Sequence, residues 1–337
     1  MEKIDILMAT YNGEQYVREQ IESILCQTHK EFNLIISDDA SSDNTVNILK
    51  EYEKKDERIK IFIQYKNLGV ISNFEFLLSQ VKSDFFMLAD QDDIWNKEKI
   101  EKSFNKLKKE DADLVYTDLE IVDQDLKIKS NSYWKTKGFE KRIKKYNNFE
   151  SLYLNNYITG CTIICKSKWI DEILPLPKKT KFLIHDYWIA LLISLKGKIS
   201  YLDEPTIKYR QHKNNSVGSK RKSDEIKDFE RIRKLFIDVK KEHFEVFVDN
   251  NEKFLDEYKK LSENSLKYFK MLESVKCFNF KNWNLFFKLY KYENIIYKLE
   301  NFIILNLPII GKILFKLKGN KNGKKYRRRC NKNNKFS

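Results

Sequence analysis

The sequence predicts an α/β protein, with a mostly parallel sheet flanked by helices and a smaller helical appendage behind it. Three observations predict this. Short apolar runs alternate with amphipathic stretches through the first 120 residues, polar clusters fall at the ends of the apolar runs, and from Phe229 to Leu299 only helical periodicity remains. With 337 residues, 42% of them apolar and 14% aromatic, the chain can build a large core, which excludes wholesale disorder.

Ile4–Met8, Phe32–Ile36, Ile59–Ile63, Phe85–Leu88 and Leu114–Thr117 read as strands, each a short apolar run bounded by polar residues. Between them, Gln15–Leu25 carries Tyr16, Ile21, Ile24 and Leu25 at helical spacing. Asp43–Glu53 is a helix with Asp43 or Ser42 as its cap, and Asn73–Val81 and Lys97–Lys108 are two more. From about Asp123 to Phe149 the pattern weakens into a Lys-rich connection. It resumes with Tyr157–Cys165, a helix from His185 or Asp186 to Leu195, and two strands, Ile199–Leu202 and Thr206–Tyr209. Ser216–Asp228 reads as a charged linker into the helical region. In sheets of this kind ligands bind beyond the carboxyl ends of the strands. Thr10-Tyr11-Asn12, Asp38-Asp39 and Asp90–Asp93 all fall there.

The formal charge of +15 is concentrated at one end. Eleven Lys and Arg follow Gly311 against no Asp or Glu, so residues 1–310 are only mildly basic, at about +4. Five cysteines without a CxxC pair and only four histidines argue against a zinc site and for a reducing compartment. Met1-Glu2-Lys3 leads straight into a strand without the features of a signal peptide, and no uncharged run reaches membrane-spanning length, so a cytoplasmic protein is expected.

Ala89-Asp90-Gln91-Asp92-Asp93-Ile94-Trp95 sets three carboxylates in four positions after an apolar strand. Carboxylates this close resist ionising together unless a cation shares the site. Hard oxygen ligands suit Mg²⁺ or Mn²⁺ held together with a substrate's phosphates, which points to chemistry on a nucleoside diphosphate compound. Read alone, the run is an ordinary acidic turn, and the other segments of the chain give it the metal reading. Asp39 is placed to accept the imide N–H of uracil or thymine, or simply to start a helix. Tyr11 stacks on that base or packs locally. Asp186 is a general base for an acceptor hydroxyl, or a helix cap. Arg210 and His212 serve a diphosphate or a metal, or are solvated.

Ala9-Thr10-Tyr11-Asn12-Gly13, Ser37-Asp38-Asp39-Ala40-Ser41-Ser42-Asp43, Asn67-Leu68-Gly69, Ala89-Asp90-Gln91-Asp92-Asp93 and His185-Asp186 occur in the order seen in family 2 glycosyltransferases. Asp90–Trp95 together with Gln211-His212-Lys213-Asn214-Asn215-Ser216-Val217-Gly218 resembles the bacterial rhamnosyltransferase branch. The resemblance covers roughly residues 4–218. It implies a GT-A fold, Rossmann-like, over residues 1–218, with a donor half of about 1–120 and an acceptor half of about 121–218, and it implies inversion at the anomeric carbon. Carried over by position, Asp39 would bind the pyrimidine with Thr10 and Tyr11 around it, and Asn67, Gly69 and Asn73 would border the donor. Asp90 would contact the ribose or the metal, and Asp92 would coordinate Mg²⁺ or Mn²⁺. Asp93 would be a ligand or stand behind the ligands, and Asp186 would be the base. Arg210 and His212 stay as the residues themselves place them, Arg210 with the donor and His212 with the metal. His185 departs from the many relatives that carry an acid before the base.

Residues 219–300 form the helical appendage and 301–337 an apolar-basic tail. In Asn301–Leu317, Pro308, Gly311, Lys312 and Lys316 interrupt the apolar run, so the tail reads as an interfacial anchor on anionic lipid rather than a span. A core-packing helix with a solvated basic end is the other reading, and no nucleic-acid-binding module is recognised. The expectation is therefore a metal-dependent transferase at the inner face of the cell membrane. It would move a sugar, L-rhamnose from dTDP-rhamnose before a UDP-hexose, to a glycan or lipid-linked acceptor. A sugar nucleotidyltransferase would want a glycine-rich phosphate loop where this chain has only Gly13. A non-catalytic glycan- or membrane-binding protein on the same scaffold is the reading outside enzymology.

Overall fold

The computed structural model describes residues 2–178, 180, 183–212, 229–274, 283–291 and 295–308. The charged linker, the motif residues after His212 and the tail beyond Pro308 lie outside them.

Four strands form the first part of the sheet: β1 (Ile4–Thr10), β2 (Phe32–Asp38), β3 (Ile59–Ile63) and β4 (Phe85–Ala89). Ile4, Ile6, Leu7 and Met8 of β1 are completely buried, as are Phe86 and Met87 of β4. Burial on both faces is why these strands read as unbroken apolar runs and why they pair in parallel. Helices α1 (Val17–Leu25), α2 (Thr45–Glu53) and α3 (Val70–Ser79) connect them. The parallel register sets Thr10 beside Asp38, Asp38 beside Ile63 and Met8 beside Ala89. The carboxyl ends of β1, β2 and β4 are thereby level, and the polar clusters that follow them meet.

The second part begins with the two-residue β5 (Ile94–Trp95) and α4 (Lys99–Glu110), followed by β6 (Leu114–Asp123) and β7 (Ile128–Ser130). Short helices α5 (Tyr133–Lys137), α6 (Glu140–Tyr146) and α7 (Phe149–Leu152) precede β8 (Ile164–Lys166), α8 (Ile170–Ile173), α9 (His185–Lys196) and β9 (Ile199–Gln211). Among the described residues the sheet order is β3-β2-β1-β4-β8-β6-β9-β5, with β7 paired to β6. β8 runs antiparallel between β4 and β6, Cys165 facing Phe86 on one side and Leu114 on the other.

Three sequence expectations are corrected. The connection over 123–149 holds a strand and short helices. Each is too short to show a period, and α5 is specified by a cap, the Ser132 side chain accepting from Lys135 N at 3.1 Å. The two strands over 199–209 are one continuous strand. Pro205 sits opposite Asp118 where the β6–β9 register shifts, a bulge that tolerates its missing N–H. Neither Asp43 nor Ser42 caps α2: Asn44 holds that position, and Asp43 accepts from Thr45 N at 3.0 Å.

The described chain divides into two compact units. The first comprises residues 1–149, 157–178 and 184–212 and contains the whole sheet. Of the described residues, the second takes in 150–156, 180 and 183 besides those from 229 onward. It is built on α10 (Phe229–Asp249) and α11 (Asp256–Leu272), with α12 (Trp283–Leu289) and α13 (Ile295–Asn306). Buried Arg233 donates to Leu272 O at 2.6 Å, Ile304 O at 3.1 Å and Leu305 O at 3.2 Å, tying carbonyls at the ends of α11 and α13 to α10. His243 Nε2 meets Tyr153 O at 2.6 Å, and burial pushes its ring pKa down to about 3, so the ring is neutral.

Candidate active site

Two side chains organise the carboxyl end of β2. Asp38 accepts from Thr10 Oγ1 at 2.8 Å, Ser41 N at 2.8 Å and Ser41 Oγ at 2.6 Å, closing a turn in which Ala40 is held at φ 61°. A left-handed alanine persists only where its surroundings over-determine it. Asp39, also buried, accepts from Leu68 N at 2.6 Å and Gly69 N at 2.9 Å, which fixes the loop entering α3. Gly69 has φ 82° and ψ 156°, a region open essentially to glycine, and Asn67 Oδ1 reaches its N–H at 3.1 Å. Each carboxylate oxygen of Asp39 retains capacity for a further donor. Asn73 is turned inward, its Nδ2 donating to Ser37 O at 2.9 Å, so it braces β2.

Tyr11 is 48% exposed, and its backbone is clipped by Gln91, with Tyr11 N to Gln91 Oε1 at 2.9 Å and Gln91 Nε2 to Tyr11 O at 3.0 Å. A Cβ on Gly13 would lie 2.2 Å from Gln91 Oε1. The clip needs glycine at position 13.

The pairing of β5 with β9 carries the acidic run to the far end of the chain. Ile94 faces Lys208, which brings Asp92 and Asp93 to Arg210 and His212. Asp92 Oδ2 lies 2.8 Å from His212 Nε2, and the His212 ring rests 4.6 Å from the Tyr16 ring. Asp93 Oδ1 accepts from Arg210 N at 3.1 Å. The Arg210 guanidinium is buried. It donates to Asp92 O at 3.0 Å, to Gln124 O at 2.9 Å and to the Glu19 carboxylate, and lies 4.6 Å over the Tyr16 ring. Arg210 thus holds the acidic turn in shape from behind.

Asp90, Asp93 and Cys161 present a carboxylate oxygen or sulfur each, all within 4.8 Å of one another. Burial, then the charges of Asp92 and Asp186, push the Asp90 carboxyl up to about 7. Burial, then Asp92 and Asp90, hold Asp93 well above the ordinary carboxyl range. Lys99 is fully buried nearby with its Nζ 4.5 Å over the Trp95 ring, and burial pulls its pKa down to about 8 against the opposing pull of Cys161 and Asp93.

Asp186 stands at the start of α9. Its Oδ1 accepts from Tyr187 N at 2.6 Å and its Oδ2 from Gly160 N at 2.9 Å. Burial raises its pKa to about 6, opposed by these two hydrogen bonds. A Cβ on Gly160 would lie 2.9 Å from Asp186 Cβ, so the approach requires glycine there. His185 stacks on Phe74 at 3.9 Å and 17°, and burial drops its pKa to about 3. A neutral, stacked histidine adds no charge beside Asp186.

These residues fit a divalent cation. Asp93 Oδ2 is buried without a hydrogen-bond partner, two of the three carboxyls resist ionisation, and the donors offered are hard oxygens and an imidazole.

Comparison with known proteins agrees with this geometry. Residues 5–174 match the profile described as "Glycosyl transferase family 2". The chain belongs to glycosyl transferase family 2. An uncharacterized glycosyltransferase of Haemophilus influenzae is 30% identical over 249 residues, 70% of this chain and 76% of that protein. The dTDP-rhamnosyl transferase RfbG of Shigella flexneri is 29% identical over 225 residues, 63% of this chain and 74% of that one. Among solved structures, residues 1–349 of Staphylococcus aureus TarS in complex with UDP-GlcNAc align with a TM-score of 0.56 at 18% identity, covering 98% of this chain and 90% of that one. Against another TarS structure, the chain spans 50% of the length. The Pyrobaculum calidifontis mannosyltransferase PcManGT with GDP-Man and Mn²⁺ aligns with a TM-score of 0.57 at 13% identity, covering 99% and 85%. This likeness is one of fold, and the fold of this glycosyltransferase is GT-A.

The structure brings Asp90, Asp92, Asp93, Arg210 and His212 together, and Asp186 is near enough to Asp90 to act on its charge. Thr10, Asp39, Asn67 and Gly69 gather at the neighbouring strand ends. Sequence reasoning gave no role to Gln91, Gly160, Cys161, Lys99 or Glu19. Only Gln91 carried a signal, its place inside the acidic run; the others are recruited by strand pairing and helix packing that spacing does not reveal.

Proposed function

We propose that this glycosyltransferase moves a sugar from a pyrimidine nucleotide donor to a hydroxyl of a glycan or lipid-linked acceptor, with inversion, in cell-surface polysaccharide synthesis. L-rhamnose from dTDP-rhamnose is the favoured donor. The observation that carries the reading is that Gly160 N holds Asp186 Oδ2 at 2.9 Å while the next residue, Cys161, lies within 4.8 Å of Asp90 and Asp93, which joins the Asp186 carboxyl to the acidic turn at the end of β4.

Asp39 accepts the imide N–H of the base while Tyr11 covers it, and Asn67 and Gly69 border the donor. Asp92 and His212, with Asp90 or Asp93, would hold Mg²⁺ or Mn²⁺, which offsets charge on the departing diphosphate. Asp186 takes the proton of the acceptor hydroxyl as its oxygen attacks the anomeric carbon from the face opposite the leaving group. With a proton affinity near neutrality, Asp186 is a stronger base than an exposed aspartate and is still largely ionised at pH 7. The bonds from Tyr187 N and Gly160 N fix its orientation.

The rhamnosyl assignment is supported by similarity to RfbG. A UDP-hexose is the second reading, because uracil and thymine offer the Asp39 carboxylate the same imide N–H. We assign residues 1–120 to the donor half, 121–218 to the acceptor half and 219–300 to the appendage. Among the described residues no helix is long and apolar enough to cross a membrane. The apolar-basic sequence of 301–337 supports peripheral attachment to anionic lipid at the inner membrane face. Anomeric configuration tests the mechanism: NMR of the product should show a linkage inverted relative to that of the donor used, and retention would remove Asp186 from the role of base.

A further inference from the structure

The Asp90–Asp93–Cys161 cluster contains more than a hard-cation site requires. A thiol stands in it, contributed by the short turn before β8 and set against carboxylates some seventy residues earlier in the chain. Asp93 Oδ2 is fully buried and accepts no hydrogen bond, so it is an oxygen aimed into the cluster with its binding capacity unused. Of the three residues, only Asp90 keeps exposed surface, which gives an ion a route in.

From this geometry we infer a soft-cation site at Asp90, Asp93 and Cys161 that takes Zn²⁺ or Cd²⁺ through the Cys161 sulfur. Thiolate selects such ions over Mg²⁺, which prefers all-oxygen octahedral surroundings. Around Zn²⁺, sulfur at about 2.3 Å and oxygens at about 2.0–2.2 Å would stand roughly 3.3–3.8 Å apart, so closure from the 4.8 Å limit asks for about an ångström of side-chain movement. The charges balance. Two carboxylates and one thiolate carry three negative charges, and the ion with the buried Lys99 ammonium carries three positive ones. Lys99 Nζ has no hydrogen-bond partner and interacts electrostatically with both Asp93 and Cys161. Binding forms the sulfur–metal bond and releases to solvent the thiol proton together with the protons that buried Asp93 and, in part, Asp90 carry; no redox step is involved. Occupancy withdraws Asp90 from the donor side, so Zn²⁺ opposes activation by Mg²⁺ or Mn²⁺. That consequence rests on the proposed donor role of Asp90, whereas the binding does not.

The test is titration of the full-length protein with Cd²⁺ in the presence of excess Mg²⁺, followed by the ultraviolet thiolate-to-cadmium charge-transfer band. The expected result is a band with the intensity of one thiolate, lost in Cys161→Ser and kept in Cys26→Ser, which removes an exposed thiol elsewhere. A band unchanged in Cys161→Ser, or no band in the wild-type protein, overturns the site. Should Cys161→Ser fail to fold, anomalous scattering from Cd²⁺ in wild-type crystals decides the matter. A peak at Cys161 supports the site and a peak elsewhere refutes it. Loss of transfer activity without Cd²⁺ at Cys161 would count against this site and leave the transferase reading untouched.

Discussion

Gly160 and Asp186, 26 residues apart, are fitted to each other: the Gly160 N–H donates to Asp186 Oδ2 at 2.9 Å, and the space a Cβ would need at Gly160 is taken by Asp186 Cβ. The candidate base is therefore aimed by the backbone of a glycine. Gly160→Ala should displace the carboxylate, lowering kcat by about 10–100-fold, as small misplacements at a reacting centre do. The overpacking should cost about 1–3 kcal/mol of stability. Transfer assays and thermal melts read the two effects separately.

Asp186→Asn should reduce transfer by about 10²–10⁴-fold, the usual contribution of a general base, while donor binding stays within a few-fold. Isothermal titration with the nucleotide-sugar checks the second half. In the wild type, kcat should fall as pH drops through about 6, because the proton that Asp186 must accept is then already present.

The same raised affinities bear on stability. A carboxyl whose folded pKa lies above its unfolded value near 3.9 favours the fold while protonated in both states. It loses that contribution as pH rises through the folded pKa. Asp186 at about 6 and Asp90 at about 7 give the same sign, so the metal-free protein should lose melting temperature between about pH 4 and 7. Mn²⁺ should restore it at pH 7. A metal-free melting temperature that rises across this range would contradict the burial of these groups.

His212→Ala removes the partner of Asp92 and should weaken Mn²⁺ binding by about 10–100-fold, measured by electron paramagnetic resonance of the free ion. Chelation by EDTA should abolish wild-type transfer reversibly.

In the second unit, Arg233→Met strips three backbone carbonyls of their buried donor. A loss of roughly 2–4 kcal/mol is expected, since each unsatisfied buried group costs about 1–3 kcal/mol and relaxation recovers part of it. Chemical denaturation checks it.

Much of the first half was legible because β1, β2 and β4 are buried on both faces and their polar ends are short and distinct. The register then brings Thr10, Asp39 and Asp90 together without further information. Less of the second half could be read. β5 is only two residues long, yet its pairing with β9 carries Arg210 and His212 to the acidic turn, and no periodicity announces a two-residue strand. Arg210 illustrates what a list of charged residues omits: its guanidinium faces Asp92 O, Gln124 O and Glu19, contacts set by tertiary packing. Cys161 joins the carboxylates for the same reason, which spacing rules for metal sites overlook.

The most direct test of the central claim is release of nucleoside diphosphate from a panel of dTDP- and UDP-sugars, with and without Mg²⁺ or Mn²⁺, by the wild type and Asp92→Asn. Metal-dependent release from dTDP-rhamnose, abolished by the substitution, is expected. Release that persists in EDTA and in Asp92→Asn would contradict it.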